Sequence, residues 1–160
     1  MALSLLERPA RAADEALELA ERGSLRISRH FDAAPARVFD AWLDPPHAQR
    51  WLFATATRPL ACVEIEARVG GAFCFSEWQD GALAAHAGRY IEIAPPRRLA
   101  FTLASHMHAH ASTRVEVVIE ARRRGCTLTL THSGVPRARA AYTRARWTGI
   151  LYGLGVNLAG

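Results

Sequence analysis

The sequence predicts an α+β fold in which a curved antiparallel sheet of seven strands wraps around one long C-terminal helix. Three observations carry this prediction. Hydrophobic and polar residues alternate along most of the chain between residues 25 and 131, the turns between these runs are hairpin-sized, and a stripe with helical spacing follows them. A curved sheet and one amphipathic helix bury both of their hydrophobic faces when the sheet wraps the helix.

Length and composition limit the class of protein. The chain has 160 residues, of which 50% are hydrophobic and 22% are charged, as expected for one globular domain with its own core. No run of about 18 apolar residues occurs, so we expect no membrane span. All 20 basic residues are arginines scattered among 15 acids, rather than clustered in a stripe. The net charge of +5 therefore does not predict nucleic-acid binding.

Three cysteines, Cys62, Cys74 and Cys126, form no Cys-x-x-Cys pair, and no secretory signal precedes them. This odd number favours a reducing compartment, so the predicted location is the cytoplasm. Neither a cofactor nor a metal is predicted.

Residues 1–24 are predicted to form an N-terminal extension before a domain at residues 25–160. Between residues 12 and 22 the small or apolar side chains Ala13, Ala16, Leu17 and Ala20 share one helical face, and Gly23 ends the pattern. This short helix would pack on the domain or on a partner subunit, which leaves a homodimer open.

The elements of the domain follow in order from their patterns. A first strand begins at Leu25, and Pro35 starts a short helix that Pro45 and Pro46 end. A second short helix or turn carries residues 47–51. Six further strands are predicted at residues 62–68, 72–78, 83–93, 98–105, 112–120 and 126–131, with Arg122, Arg123 and Arg124 in a solvated turn.

The last element is a long helix with Trp147, Leu151, Leu154 and Leu158 in one stripe. Gly149 and Gly153 lie on the opposite side and lower helix propensity by about 1 kcal/mol each. We therefore expect either a bent helix or a close neighbour on that side.

Four motifs in register resemble a known family. They are Phe31-Asp-Ala-Ala-Pro35-Ala-Arg-Val-Phe39-Asp-Ala-Trp42-Leu-Asp-Pro45, Glu66-Ala-Arg68-Val-Gly70-Gly71, Gly88-Arg-Tyr90 through Pro95-Pro96 to Thr102, and Thr129-Leu-Thr131-His132-Ser-Gly134-Val-Pro136. Together they resemble the helix-grip domains of the START-like (SRPBCC) superfamily, and within it the C-terminal domain of the activator of heat-shock-protein-90 ATPase. At Trp51-Leu52-Phe53 the chain departs from the aromatic pair of many members, so its pocket entrance is expected to differ.

A concave, mostly apolar cavity between the sheet and the last helix is the expected ligand site. Aromatic and aliphatic side chains of the sheet and helices are its predicted lining: Phe39, Trp42, Trp51, Phe73, Phe75, Tyr90, Phe101, Trp147, Leu151 and Leu154. The same residues could instead fill a solid core. Four polar groups are expected near the cavity: Glu77, His86, Arg89 and His132.

His106, His108 and His110 alternate, so on a strand they would share one face. Two of them could reach one zinc ion, but no Cys, Asp or Glu accompanies them at ligand spacing. We expect a solvated turn here and no metal site.

The leading hypothesis is a binding domain for a small hydrophobic or amphipathic molecule. A second is an enzyme that uses acid–base residues in the same cavity, because a histidine beside a carboxylate can act as a general base, and superfamily members that cyclise or dehydrate polyketides imply such chemistry. A third, implied by the family's namesake, is protein interaction with a chaperone. Fold analogy does not decide among them.

Overall fold

The computed structural model describes residues 22–53, 60–105 and 112–160. It confirms the predicted α+β helix-grip architecture, with seven strands, two short helices after the first strand and a long C-terminal helix. The strands are β1 (Arg22–Phe31), β2 (Leu60–Ile65), β3 (Ala72–Gln79), β4 (Ala82–Ala94), β5 (Arg98–Ser105), β6 (Thr113–Ala121) and β7 (Cys126–Pro136). The helices are α1 (Pro35–Leu43), α2 (Pro45–Trp51) and α3 (Ala140–Ala159), the last preceded by a 3-10 turn at Arg137–Arg139.

All neighbouring strands pair antiparallel in the order β1-β7-β6-β5-β4-β3-β2. Every pair except β1–β7 joins strands that are consecutive in the chain, which the short turns predicted. Alternate residues of β6 and β7 are buried, so one face of the sheet carries the core.

The first strand begins earlier than the pattern predicts. Arg22 and Gly23 already pair with Pro136 and Val135 of β7, and a register shift follows between Gly23 and Ser24. The strand therefore starts three residues before Leu25, where the pattern placed its start. The irregular register explains the difference, because a bulge interrupts the alternation by which a strand is read from sequence.

The helices place their hydrophobic faces on the sheet. In α1 the buried residues include Val38, Phe39 and Trp42, which follow Pro35 in the first turn of the helix. In α3 the buried residues include Trp147 and Leu151, as the stripe predicted. The described helices include none that is long and apolar enough to cross a membrane.

Two glycines fit the sheet where a larger residue would not. A Cβ at Gly88 of β4 would lie 1.8 Å from the carbonyl oxygen of Thr102 on β5, and one at Gly71 would lie 2.2 Å from that of Glu66. Both positions let backbone segments approach closely.

Two sequence predictions lie outside the described residues. They are the N-terminal helix up to residue 21 and the histidine row His106, His108 and His110. By contrast, the turn at Arg122, Arg123 and Arg124 is described and exposed to solvent, as predicted.

Candidate functional site

Aromatic rings fill the concave side of the sheet. Phe73 packs against Tyr90 and Phe101, each with ring centroids 5.3 Å apart, and Trp42 meets Trp51 edge to face at 4.7 Å. All five side chains are at least 96% buried. Such packing agrees with the alternative stated above, in which these residues fill a solid core.

The space left among these rings is small. A void of about 10 Å³ is lined by Trp42, Leu52, Phe53, Phe73, Phe75, Tyr90, Leu99 and Phe101. A water molecule needs about that much room. The open cavity expected from the sequence is therefore closed at this point by the bulk of the rings.

An open groove lies on the other side of this packing, between α2 and α3. Its volume is about 710 Å³, within the usual range for small-molecule sites. It is lined by Arg50, Trp51, Phe53, Tyr142, Ala145, Arg146, Gly149, Ile150, Tyr152, Gly153, Val156 and Asn157. A Cβ at Gly149 would meet nothing within 4 Å, so the helix face is open at this position.

The ten predicted lining residues divide among these places. Trp51 lines the groove, whereas Trp42, Phe73, Phe75, Tyr90 and Phe101 line the small void. The other four line neither space and are buried in the core: Phe39, Trp147, Leu151 and Leu154. Contact between the predicted lining residues and a ligand stays a prediction.

Glu77 and His86 meet on the concave face, and Arg146, which lines the groove, contacts both. Glu77 Oε1 lies 3.0 Å from His86 Nε2 and 3.0 Å from Arg146 Nη2 of α3, whereas Nε2 and Nη2 are 3.4 Å apart. Because a guanidinium carries only donors, Oε1 accepts from Arg146, and a proton on His86 Nε2 completes the second bond. The Glu77 side chain is 1% exposed and that of Arg146 is 26% exposed. The ion pair therefore links a carboxylate buried in the core to a guanidinium that lines the groove.

Phe53 packs against the His86 side of this cluster. Its ring stacks on the imidazole of His86 with centroids 4.4 Å apart and an interplanar angle of 11°. It also contacts Phe75 and Trp147, at centroid distances of 5.6 and 5.7 Å. The backbone of Phe53 has a φ of 61°, in the left-handed region that bulky residues rarely adopt.

His132 belongs to a separate hydrogen-bond chain in the core. Trp147 Nε1 donates to His132 Nδ1 at 3.0 Å, and Thr113 Oγ1 donates to the carbonyl oxygen of Leu103 at 2.9 Å. The third bond, of 2.6 Å, joins His132 Nε2 to Thr113 Oγ1. Since the threonine proton is already used, His132 Nε2 is the donor. These bonds assign His132 a structural role.

The prediction for Arg89 is wrong. Arg89 is exposed, and its guanidinium donates to the carbonyl oxygen of Gly70 at 3.0 Å, away from the concave face. On β4 the buried, inward residues include His86 and Tyr90, and strand alternation directs Arg89 to the other side.

Burial changes the acidity of two neutral core groups. Desolvation raises the pKa of the Tyr90 phenol well above its ordinary value, and it also raises the pKa of the Cys126 thiol. Both groups stay protonated at neutral pH. Among the residues that the structure describes, no three histidine, cysteine or acidic side chains could hold a metal ion.

Comparison with known proteins agrees with this architecture. Residues 32–159 match the family described as Activator of Hsp90 ATPase homolog 1-like protein. The chain belongs to this family. The comparison with curated proteins gave no match.

Solved structures of bacterial proteins share the fold of this Activator of Hsp90 ATPase homolog 1-like chain. It is similar to a protein from Chromobacterium violaceum, with 26% identity, a TM-score of 0.76, and 84% of this chain and 96% of that chain covered. A protein from Rhizobium leguminosarum has 27% identity and a TM-score of 0.73, covering 87% and 95%. An AHSA1-like protein from Aeromonas hydrophila, at 22% identity, has a TM-score of 0.74 and covers 85% and 92%.

Membership supports a domain of ligand-binding type in general. It also confirms the family resemblance that the four sequence motifs carried.

Of the described residues that line the groove, only Trp51 was among the predicted candidates. Arg50 and Arg146 were not predicted, and Phe53 was noted only as part of the departure from the family pattern at Trp51-Leu52-Phe53. The helical stripe could have located Arg146, because it directly precedes Trp147 and lies at the edge of the buried face. No sequence signal announces the left-handed backbone of Phe53.

Proposed function

We propose that this chain binds a small amphipathic molecule in the groove between α2 and α3. The observation that carries the proposal is the groove itself, whose 710 Å³ is bounded by aromatic and aliphatic side chains and by two arginines. Such a combination of apolar wall and few charged groups is typical of small-molecule sites.

The charge of the lining indicates the chemistry of the ligand's polar end. Arg50 and Arg146 line the groove, and none of the described residues that line it is acidic. Glu77 already binds one nitrogen of Arg146, but the guanidinium has five donors, and a quarter of the side chain is exposed. An anionic head group, such as a carboxylate or sulfonate, therefore fits this groove better than a cation does.

The proposal is tested by fluorescence titration with anilinonaphthalene sulfonate, which combines apolar rings with one anionic group. Gly149→Leu places a side chain in the open groove and should weaken binding by at least about tenfold, the equivalent of losing 1.4 kcal/mol. Ala141→Leu is the matched control, because Ala141 is exposed on the same helix but does not line the groove. Equal binding by both variants and the unmodified chain would refute the groove as the site.

The charge assignment needs a second probe. Phenylnaphthylamine has the same ring system without the sulfonate. Arg50→Met should weaken the sulfonate by about two- to fivefold, as expected for a partly exposed ion pair, and leave the uncharged probe unchanged. The same loss for both probes would show that the arginine acts only through packing.

The Glu77–His86 contact favours acid–base catalysis as a second candidate function. A carboxylate that binds an imidazole nitrogen orients the ring and fixes its proton, as a general base requires. Glu77 Oε1 and His86 Nε2 are 3.0 Å apart, and Arg146, which lines the groove, also contacts Glu77. The test is mass spectrometry of aromatic polyketide-like ketones incubated with the protein. A product lighter by one water molecule, formed by the unmodified protein but not by His86→Gln, would support an enzyme. Substrate recovered unchanged would count against one.

A further inference from the structure

Phe53 separates the groove from the core. It lines both the 710 Å³ groove and the 10 Å³ void, and among the described residues no other belongs to both linings. Its ring is 97% buried and lies against His86, Phe75 and Trp147. The Phe53 side chain is therefore the wall between an open space and a closed one.

The backbone of Phe53 opposes this position. A φ of 61° is unfavourable for a bulky L-residue, whereas burial of the phenyl ring is favourable. Because the two effects oppose each other, the buried position of the ring is less stable than burial of the ring alone would make it.

His86 and Trp42, which lie near Phe53 in the core, could contact the aromatic ring of a ligand in its place. If the Phe53 ring rotated outward, the space that it occupies would connect the void with the groove. The flat face of the His86 imidazole would then be uncovered. Trp42 also lines the void, and its buried indole N–H has no acceptor among the described residues. A buried donor without an acceptor is costly, so it favours a ligand that supplies one.

We propose that Phe53 is a gate, and that the ligand of the groove carries an aromatic ring which replaces Phe53 on His86 and an oxygen that accepts from Trp42 Nε1. This inference rests on the proposed function, since the groove is the way in. It names the ligand class more narrowly, as an aryl compound with a hydrogen-bond acceptor at its inner end.

The first test uses the unmodified protein and p-cresol, a single ring with one oxygen. Nuclear Overhauser effects between the cresol ring and His86 should appear, and those between Phe53 and His86 should weaken in proportion. Cresol contacts confined to groove residues such as Ile150, with the Phe53–His86 contact retained, would overturn the gate. The proposed function would survive that result if anilinonaphthalene sulfonate still bound in a Gly149-dependent manner. Failure of both probes to bind would overturn both proposals.

The second test uses affinity. Phe53→Ala removes the ring that a ligand must displace, so its affinity for p-cresol should rise by about tenfold. If Phe53→Ala does not fold, Phe53→Gly removes the ring and suits the left-handed backbone. An unchanged or lower affinity in the folded variant would contradict the gate.

The acceptor is tested by comparing p-cresol with toluene. In the Phe53→Ala or Phe53→Gly background, Trp42→Phe keeps a ring but removes the indole N–H. The preference for p-cresol over toluene should then fall by about five- to tenfold, as for the loss of one hydrogen bond. An unchanged preference would show that Trp42 does not bind the oxygen.

Discussion

Glu77 and His86 form a 3.0 Å contact on the concave face although they are not opposite each other in the β3–β4 ladder. His86 pairs with Phe75, and Glu77 pairs with Ala84, so the two are diagonal neighbours on one face. Long side chains can bridge such a diagonal. The ladder thus places a carboxylate and an imidazole together inside the hydrophobic core, and Arg146 reaches them from α3.

The buried carboxylate of Glu77 should matter for stability. Glu77→Gln replaces the charge that Arg146 and His86 bind, and we expect the free energy of unfolding to fall by about 1–3 kcal/mol, the usual worth of hydrogen bonds to a charged group. Urea denaturation measures the change. Glu92→Gln is the control, because Glu92 is 40% exposed and forms a surface ion pair with Arg98. Its effect should stay below about 0.5 kcal/mol, and equal losses in the two variants would contradict the assigned role of Glu77.

The strand register that brings Glu77 and His86 together could be predicted from the sequence. The position of Arg146, the third residue of this cluster, could not. Asp80-Gly81 is a two-residue turn signal, and centring a hairpin on it pairs Glu77 with Ala84. Both turn residues have positive φ, as such a turn requires. The position of Arg146 depends on how α3 crosses the sheet, which arises from packing over the whole core rather than from local pattern.

The pairings of consecutive strands from β2 to β7 and the buried stripe of α3 were likewise predictable, because short turns join neighbouring antiparallel strands and helical spacing reports which side of a helix is apolar. The size of the interior space was not. Whether rings such as Phe73 and Phe101 line a cavity or fill it depends on ångström-level packing that hydrophobic pattern does not encode. The groove passes over Gly149, where a Cβ would meet nothing within 4 Å, and the pattern marks this residue only as a weak helix former.

The hydrogen bonds of His132 fix its tautomer. Because Trp147 donates to Nδ1, the imidazole should carry its proton on Nε2 at neutral pH. Long-range proton–nitrogen correlation spectra distinguish the two tautomers. A proton on Nδ1 would contradict the chain from Trp147 through His132 to Thr113.

Stability should fall in alkaline solution because of two buried acids. The pKa values of Tyr90 and Cys126 are raised in the folded state, so the unfolded chain loses these protons first. Their contribution is complete below the ordinary pKa values of 9.0 and 10.0 and declines as the pH rises past them. Urea denaturation at a series of alkaline pH values measures this decline, which should be shallower in Tyr90→Phe. Identical slopes would show that Tyr90 ionises equally in both states.

Two glycines should respond oppositely to alanine. Gly149→Ala meets open space in a helix, so the free energy of unfolding should rise by about 0.5–1 kcal/mol. Gly88→Ala places a Cβ 1.8 Å from the Thr102 carbonyl oxygen and should lower it by about 1–3 kcal/mol. Thermal or urea denaturation of both variants checks the pair. A destabilised Gly149→Ala would show that the groove is occupied by some other part of the protein.

Backbone amide shifts on addition of anilinonaphthalene sulfonate show where the molecule binds. Binding in the groove between α2 and α3 should produce saturable shifts centred on the groove residues Arg50, Gly149 and Gly153. Shifts centred instead on Trp78 and Leu83, the exposed apolar pair on the β3–β4 hairpin, would contradict it.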